Sequence, residues 1–196
     1  MTNVASSCDP DSPLVAQALT YLQTGQPAAA AALCERVLAR RHRHFDALHA
    51  LGVSRHQLGD PASAEKHLRA AIRLKPDFAL THINYGNALR ELGRMPEALA
   101  SYARATAIDP KLAIAHHNVG SALQDLGRHA EALASFERAL ALRPEAPTMV
   151  GRGSCLLALG RLDEAIEAYR AAIAHDGAYV DAHANLGSAL VSRGEN

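Results

Sequence analysis

His82-Ile-Asn-Tyr-Gly-Asn-Ala-Leu-Arg-Glu-Leu-Gly93-Arg-Met-Pro-Glu-Ala-Leu-Ala-Ser-Tyr-Ala-Arg-Ala105 is the stretch that decides the fold. Tyr85, Ala88, Leu89 and Leu92 recur at steps of three and four, the spacing that gives a helix one apolar face. Ala98, Leu99, Tyr102, Ala105 and Ile108 resume that spacing after Gly93. The glycine can take the positive φ that ends one helix and turns the chain into the next. The stretch reads as helix, turn, helix.

The same block returns as His116-His-Asn-Val-Gly-Ser-Ala-Leu and Glu131-Ala-Leu-Ala-Ser-Phe-Glu-Arg-Ala. Glycines at Gly25, Gly59, Gly93, Gly127, Gly160 and Gly194 lie 34, 34, 34, 33 and 34 residues apart by subtraction, and a fixed period of this kind marks a repeat architecture. Three further columns keep step: Gly52, Gly86, Gly120, Gly153 and Gly187, with Ala18 in the earlier place; Ala30, Ala64, Ala98, Ala132 and Ala165; and Val37, Ala71, Ala105, Ala139 and Ala172. Small residues such as Gly86 and Ala98 allow the paired helices to approach toward the short end of the roughly 8–10 Å packing range. Leu68, Tyr102, Phe136 and Tyr169, with Cys34 as the weakest member, are expected to plug the gap toward the neighbouring hairpin. Pro76, Pro110 and Pro144 end three second helices, since proline cannot continue a helix interior.

Composition bounds the function. The 196 residues contain 20 Lys plus Arg and 20 Asp plus Glu, for a net charge of +0 with eleven neutral histidines. That balance provides no field to draw in nucleic acid or an anionic membrane, so neither is expected as a partner. Cys8, Cys34 and Cys155 are odd in number and widely spaced, which points to a reducing compartment rather than a disulfide framework. The segment before Cys8 lacks the charge and apolar run of a signal peptide, and no stretch has the length of a membrane span. A soluble cytoplasmic chain is expected, with residues 1–10 disordered.

With these columns in register over nearly the whole chain, the sequence resembles the tetratricopeptide repeat family. The resemblance implies an all-α fold, a right-handed superhelical solenoid of antiparallel helix-turn-helix hairpins. It would form a single array over 11–196, with units 11–44, 45–78, 79–112, 113–145 and 146–179 and a half unit 180–196. The 33-residue step falls near Glu145-Ala-Pro147, where a shortened connection is expected to change the angle between hairpins. In this family the first helix of each hairpin lines a concave face that binds proteins or peptides.

Asn84, Asn118 and Asn185 stand two places before the column glycine of their own units. A carboxamide both donates and accepts hydrogen bonds, so a row of them can hold an extended peptide backbone without reading its side chains. The row resembles the asparagine ladder of O-GlcNAc-transferase-like proteins, although Ala16, Ala50 and Gly151 interrupt it. The expected peptide-binding residues are Asn84, Asn118, Asn185, Asn87, His117, Arg90, Ser121 and Gln124, with His49, Val53, Ile83 and Ser188 at neighbouring groove positions. Family members that clamp a terminal carboxylate use cations where Ile83, Ile114 and Pro147 stand here, so an internal segment is the expected ligand.

No cofactor or metal is expected. His42, His44 and His49 cluster and His116 adjoins His117, but converging tetrahedral ligands are not indicated; His82, His116 and His183 share one repeat position, a packing place in the family. No nucleophile elbow, phosphate loop or His-Glu-x-x-His motif occurs. Asp163 and Glu164 suit a helix N-terminus, and Cys155 reads as a buried, inert thiol. The expected function is therefore a non-catalytic protein-interaction scaffold. The alternative is the substrate-recruiting part of a larger enzyme such as a glycosyltransferase, because the sixth hairpin lacks its second helix at Asn196. That uncapped last helix also offers a surface for self-association. An RNA-binding repeat ranks last, since Arg90 is the clear cation in the groove set.

Overall fold

The computed structural model describes residues 11–194, in which eleven helices and no strand are found. The expectation of disorder for residues 1–10 falls outside the described residues. Two compact units divide between Arg94 and Met95. The first holds α1 (Ser12–Gln23), α2 (Pro27–Arg40), α3 (Phe45–Gln57), α4 (Pro61–Leu74) and α5 (Ala79–Glu91). The second holds α6 (Met95–Ile108), α7 (Ala113–Asp125), α8 (His129–Leu142), α9 (Ala146–Ala158), α10 (Leu162–His175) and α11 (Val180–Arg193).

The glycine of each interhelix turn is left-handed, with φ between 71° and 75° from Gly25 to Gly160. Around it the chain closes two backbone hydrogen bonds, seen at Gly59, whose amide donates to the His56 carbonyl at 3.0 Å while the Asp60 amide donates to that of Arg55 at 2.9 Å. This Schellman arrangement satisfies carbonyls that a helix end leaves open. At three of these turns the next residue helps start the second helix, in one of two ways. Asp60 accepts from the Ser63 amide at 3.0 Å, and hydrogen bonding from the Ser63 hydroxyl first and its amide second holds the Asp60 carboxyl below the usual range. Arg128 and Arg161 instead fork onto Glu131 and Glu164, with both nitrogen to oxygen distances 2.7 Å in each pair.

Packing inside each hairpin follows from the absence of a side chain. A Cβ placed on Gly52 would come within 2.5 Å of Leu68, one on Gly120 within 2.8 Å of the Phe136 ring and one on Gly153 within 2.5 Å of Tyr169. Leu68, Phe136 and Tyr169 thus cover the glycine of their own hairpin and, as expected, also pack toward the next one, where Leu68 shares a buried cluster with Ala88 and Tyr169 one with Ala182. Phe136 additionally reaches the following hairpin at Gly151. The alanines beside them, Ala64, Ala132 and Ala165, are sealed from solvent.

The repeated histidine fastens the loops between hairpins. Nε2 of His82, His116 and His183 each lies 2.9 Å from the backbone carbonyl six residues earlier, on Pro76, Pro110 and Gly177. The ring nitrogen donates to a loop carbonyl just past the end of the preceding helix, and the spacing survives the replacement of proline by Gly177.

Gly187 breaks the packing pattern, for nothing lies within 4 Å of a Cβ added there. The same substitution should therefore have opposite signs at equivalent places. Gly187→Ala is expected to raise stability by about 0.5–1 kcal/mol through helix propensity, while Gly120→Ala, which must displace an aromatic ring, is expected to lower it by about 1–2 kcal/mol. Urea unfolding followed by circular dichroism measures both, and a gain at Gly120 would refute the close-packing account.

Candidate functional site

All the expected peptide-contact residues lie on first helices. In the first unit α3 touches both α1 and α5, and in the second α9 touches both α7 and α11. Asn84 lies on α5, Asn118 on α7 and Asn185 on α11, and all three are half-buried. Their carboxamides make no hydrogen bond among the described residues. Asn87 is half-buried on the same helix as Asn84, and Arg90 is exposed in its last turn, where a cation complements the helix dipole. Ile83, expected among the groove positions, is corrected by its burial, since 5% exposure leaves it no contact surface.

The polar side chains near Asn118 are positioned from α9. Nδ1 of His117 lies 2.9 Å from the Thr148 hydroxyl, its ring packs edge-on to Phe136 at 5.6 Å, and its Nε2 is 3.5 Å from the Ser121 hydroxyl. Gln124 Oε1 accepts from the Cys155 thiol at 3.7 Å. Burial pushes that thiol up to about 11 and Cys34 up to about 12, which makes both poor nucleophiles at neutral pH.

The gaps in the asparagine row have packing causes in two places. A Cβ on Gly151 would stand 2.6 Å from the end of the Phe136 ring, so α9 has no room for a carboxamide there. Ala50 is wholly buried. Ala16 differs, being exposed.

A second polar series was not foreseen. His49 Nδ1 lies 2.9 Å from the Thr81 hydroxyl, and this pair is the repeat equivalent of His117 and Thr148. Both threonines are buried, at 0% and 1% exposure, so each hydroxyl has its histidine as partner in place of water. The intervening units replace the pair by an aliphatic residue and alanine: Val15 with Ala47, packed in one cluster, and Val150 with Ala182, packed in another; the same two places hold Ile83 and Ala115 in the sequence. The signal was present as paired changes in two columns, threonine appearing where the preceding unit carries histidine.

The remaining histidines of the apparent cluster are bound locally. His42 Nδ1 donates to the Leu38 carbonyl at 2.8 Å, and His44 Nδ1 accepts the Ala47 amide at 3.3 Å as the cap of α3. Among the described residues no three potential metal ligands converge, and no helix is long and apolar enough to cross a membrane.

Models of the tetratricopeptide repeat match residues 77–145 and, separately, residues 15–77, 119–179 and 150–196. The chain belongs to the tetratricopeptide repeat family. No curated protein matches it in sequence. Among solved structures, this tetratricopeptide chain is similar to a thermophilic TPR protein of Thermus thermophilus, with 24% identity, coverage of 92% of this chain and 99% of that one, and a TM-score of 0.71. It is also similar to YrrB, described as a TPR protein with an unusual peptide-binding site, with 20% identity, coverage of 88% and 90%, and a TM-score of 0.73. PilF of Pseudomonas aeruginosa is similar at 21% identity, covering 93% of this chain and 89% of its own, with a TM-score of 0.78. At these identities the similarity establishes the hairpin fold; no catalytic family is indicated. Proteins of this family bind protein or peptide partners, and the chain is read as an interaction scaffold on that basis.

Two outcomes follow from the geometry. Gly151→Asn, which would lengthen the asparagine row on paper, is expected to destabilise the fold by about 1–3 kcal/mol through overpacking against Phe136, read as a lower urea midpoint. Burial, opposed more weakly by Asp46, holds His49 below its ordinary value of 6.5. The folded chain then binds fewer protons than the unfolded one just under that pH, so stability is complete above about 6.5 and is lost as pH falls through the folded value. His49→Gln, which does not titrate, should flatten this acid-side slope; an unchanged slope would remove His49 as its source.

Proposed function

We propose that the chain is a non-catalytic scaffold that holds an extended peptide segment along the first helices of its hairpins, with Asn84, Asn118 and Asn185 bonding the peptide backbone. The observation that carries this reading is the state of those carboxamides, half-buried yet without a hydrogen bond among the described residues. A partly desolvated amide gains by finding a partner, and an extended backbone supplies one donor and one acceptor per residue. His117, Ser121 and Gln124 flank Asn118 and are steadied by Thr148 and Cys155. The mode resembles the asparagine ladder of O-GlcNAc-transferase-like proteins. YrrB, a fold neighbour, has a peptide-binding site of its own. The free, buried thiols of Cys34 and Cys155 suit action in the cytoplasm, where thiols stay reduced.

Selection of displayed random dodecamers on the full chain, followed by fluorescence anisotropy with the synthetic winners, tests this function. Three backbone hydrogen bonds at about 0.5–1.5 kcal/mol each imply that the triple change of Asn84, Asn118 and Asn185 to Ala weakens binding roughly 10- to 1000-fold, with the helical dichroism unchanged. Equal affinity in the triple variant would remove the ladder. Failure to enrich any peptide would overturn the scaffold reading.

A further inference from the structure

A hollow of 380 Å³ opens between α1 and the start of α3, lined by Ser12, Val15, Ala16, Leu19, His44 and Asp46. Its walls are of two kinds. Val15, Ala16 and Leu19 make an apolar side, on which Leu19 is 41% exposed. Asp46 makes the other, exposed and with no ion pair or hydrogen bond among the described residues. The nearby Asp11 carboxylate already faces Arg40 and Arg41 at 3.9 and 3.7 Å, and His44 is committed to the Ala47 amide. The dipole of α3 accounts for an acid in its first turn; it does not account for an apolar hollow beside that acid.

We infer that this hollow receives a lysine or arginine side chain of the bound peptide, its stem lying on the exposed Ala16 and Leu19 and its charged end on Asp46. Lysine and arginine are the side chains that combine a long apolar stem with a cationic tip. An aliphatic side chain would leave the carboxylate unanswered, and an acidic one would be repelled by it. The inference rests on the peptide-binding reading and adds a side-chain class to it. Ala16 occupies the place that carries asparagine on α5, α7 and α11, so this unit reads a side chain where those hold backbone.

The test is amide NMR of the full isotope-labelled chain titrated with the blocked single residues Nα-acetyl-arginine methylamide and Nα-acetyl-lysine methylamide, against the norleucine and glutamate counterparts. Saturable shifts are expected at Val15, Ala16, Leu19 and Asp46 with the two cationic probes. Norleucine should bind about fivefold more weakly or worse, and Asp46→Asn should weaken the cationic probes by about the same factor, the scale of one exposed ion pair. Leu19→Lys, at an exposed position, sets a fixed cation in the hollow and should abolish the shifts. Equal binding by norleucine, equal binding in Asp46→Asn, or shifts confined to other residues would overturn the inference. If the selected dodecamers still bind through the asparagines in that case, the scaffold reading stands without this receptor.

Discussion

The Phe136 ring lies where a Cβ on Gly120 would come within 2.8 Å and a Cβ on Gly151 within 2.6 Å, so one side chain sets how closely α8 meets the first helices on either side of it. Close packing at protein-interior density leaves no slack to absorb an extra methyl at such a point. The same relation joins Gly52 to Leu68 and Gly153 to Tyr169. Helix pairing and the burial of the small columns both depend on it. The ring that packs the hairpin also leaves no room for a carboxamide at the Gly151 place and meets His117 edge-on at 5.6 Å.

Histidine does at least three separate jobs in this chain. At His82, His116 and His183 it fastens a loop carbonyl; at His44 it caps a helix; at His49 and His117 it meets a threonine on the next first helix. The third job alternates with aliphatic and alanine pairs along the repeats. Each combination satisfies its own contents: a buried threonine hydroxyl needs a polar partner, and an alanine leaves room for a valine. The alternation gives the first helices a two-repeat pattern laid over a one-repeat fold.

The period, the turn glycines, the division into hairpins and the family were legible in the sequence. Each is a local property repeated at a fixed interval, and repetition separates a real column from chance. Helix spacing in Tyr85, Ala88, Leu89 and Leu92 also placed Asn84, Asn118, His117, Ser121 and Gln124 on first helices, because position on a helix follows from counting residues. Counting could not show that Ile83 is covered, since burial depends on the neighbouring helix.

What the sequence by itself determined, then, is the repeat and the side-chain inventory of each helix. The tertiary structure alone decided which of those side chains are spent inside the protein and which are left open at its surface. Thr81 and Thr148 lie 32 and 31 residues from the histidines they meet, and Asp46 gains its hollow from α1, a separate hairpin. Such pairings arise when helices distant in the chain are brought together by packing, and the distance between two helices is set by the volumes of all the side chains that separate them.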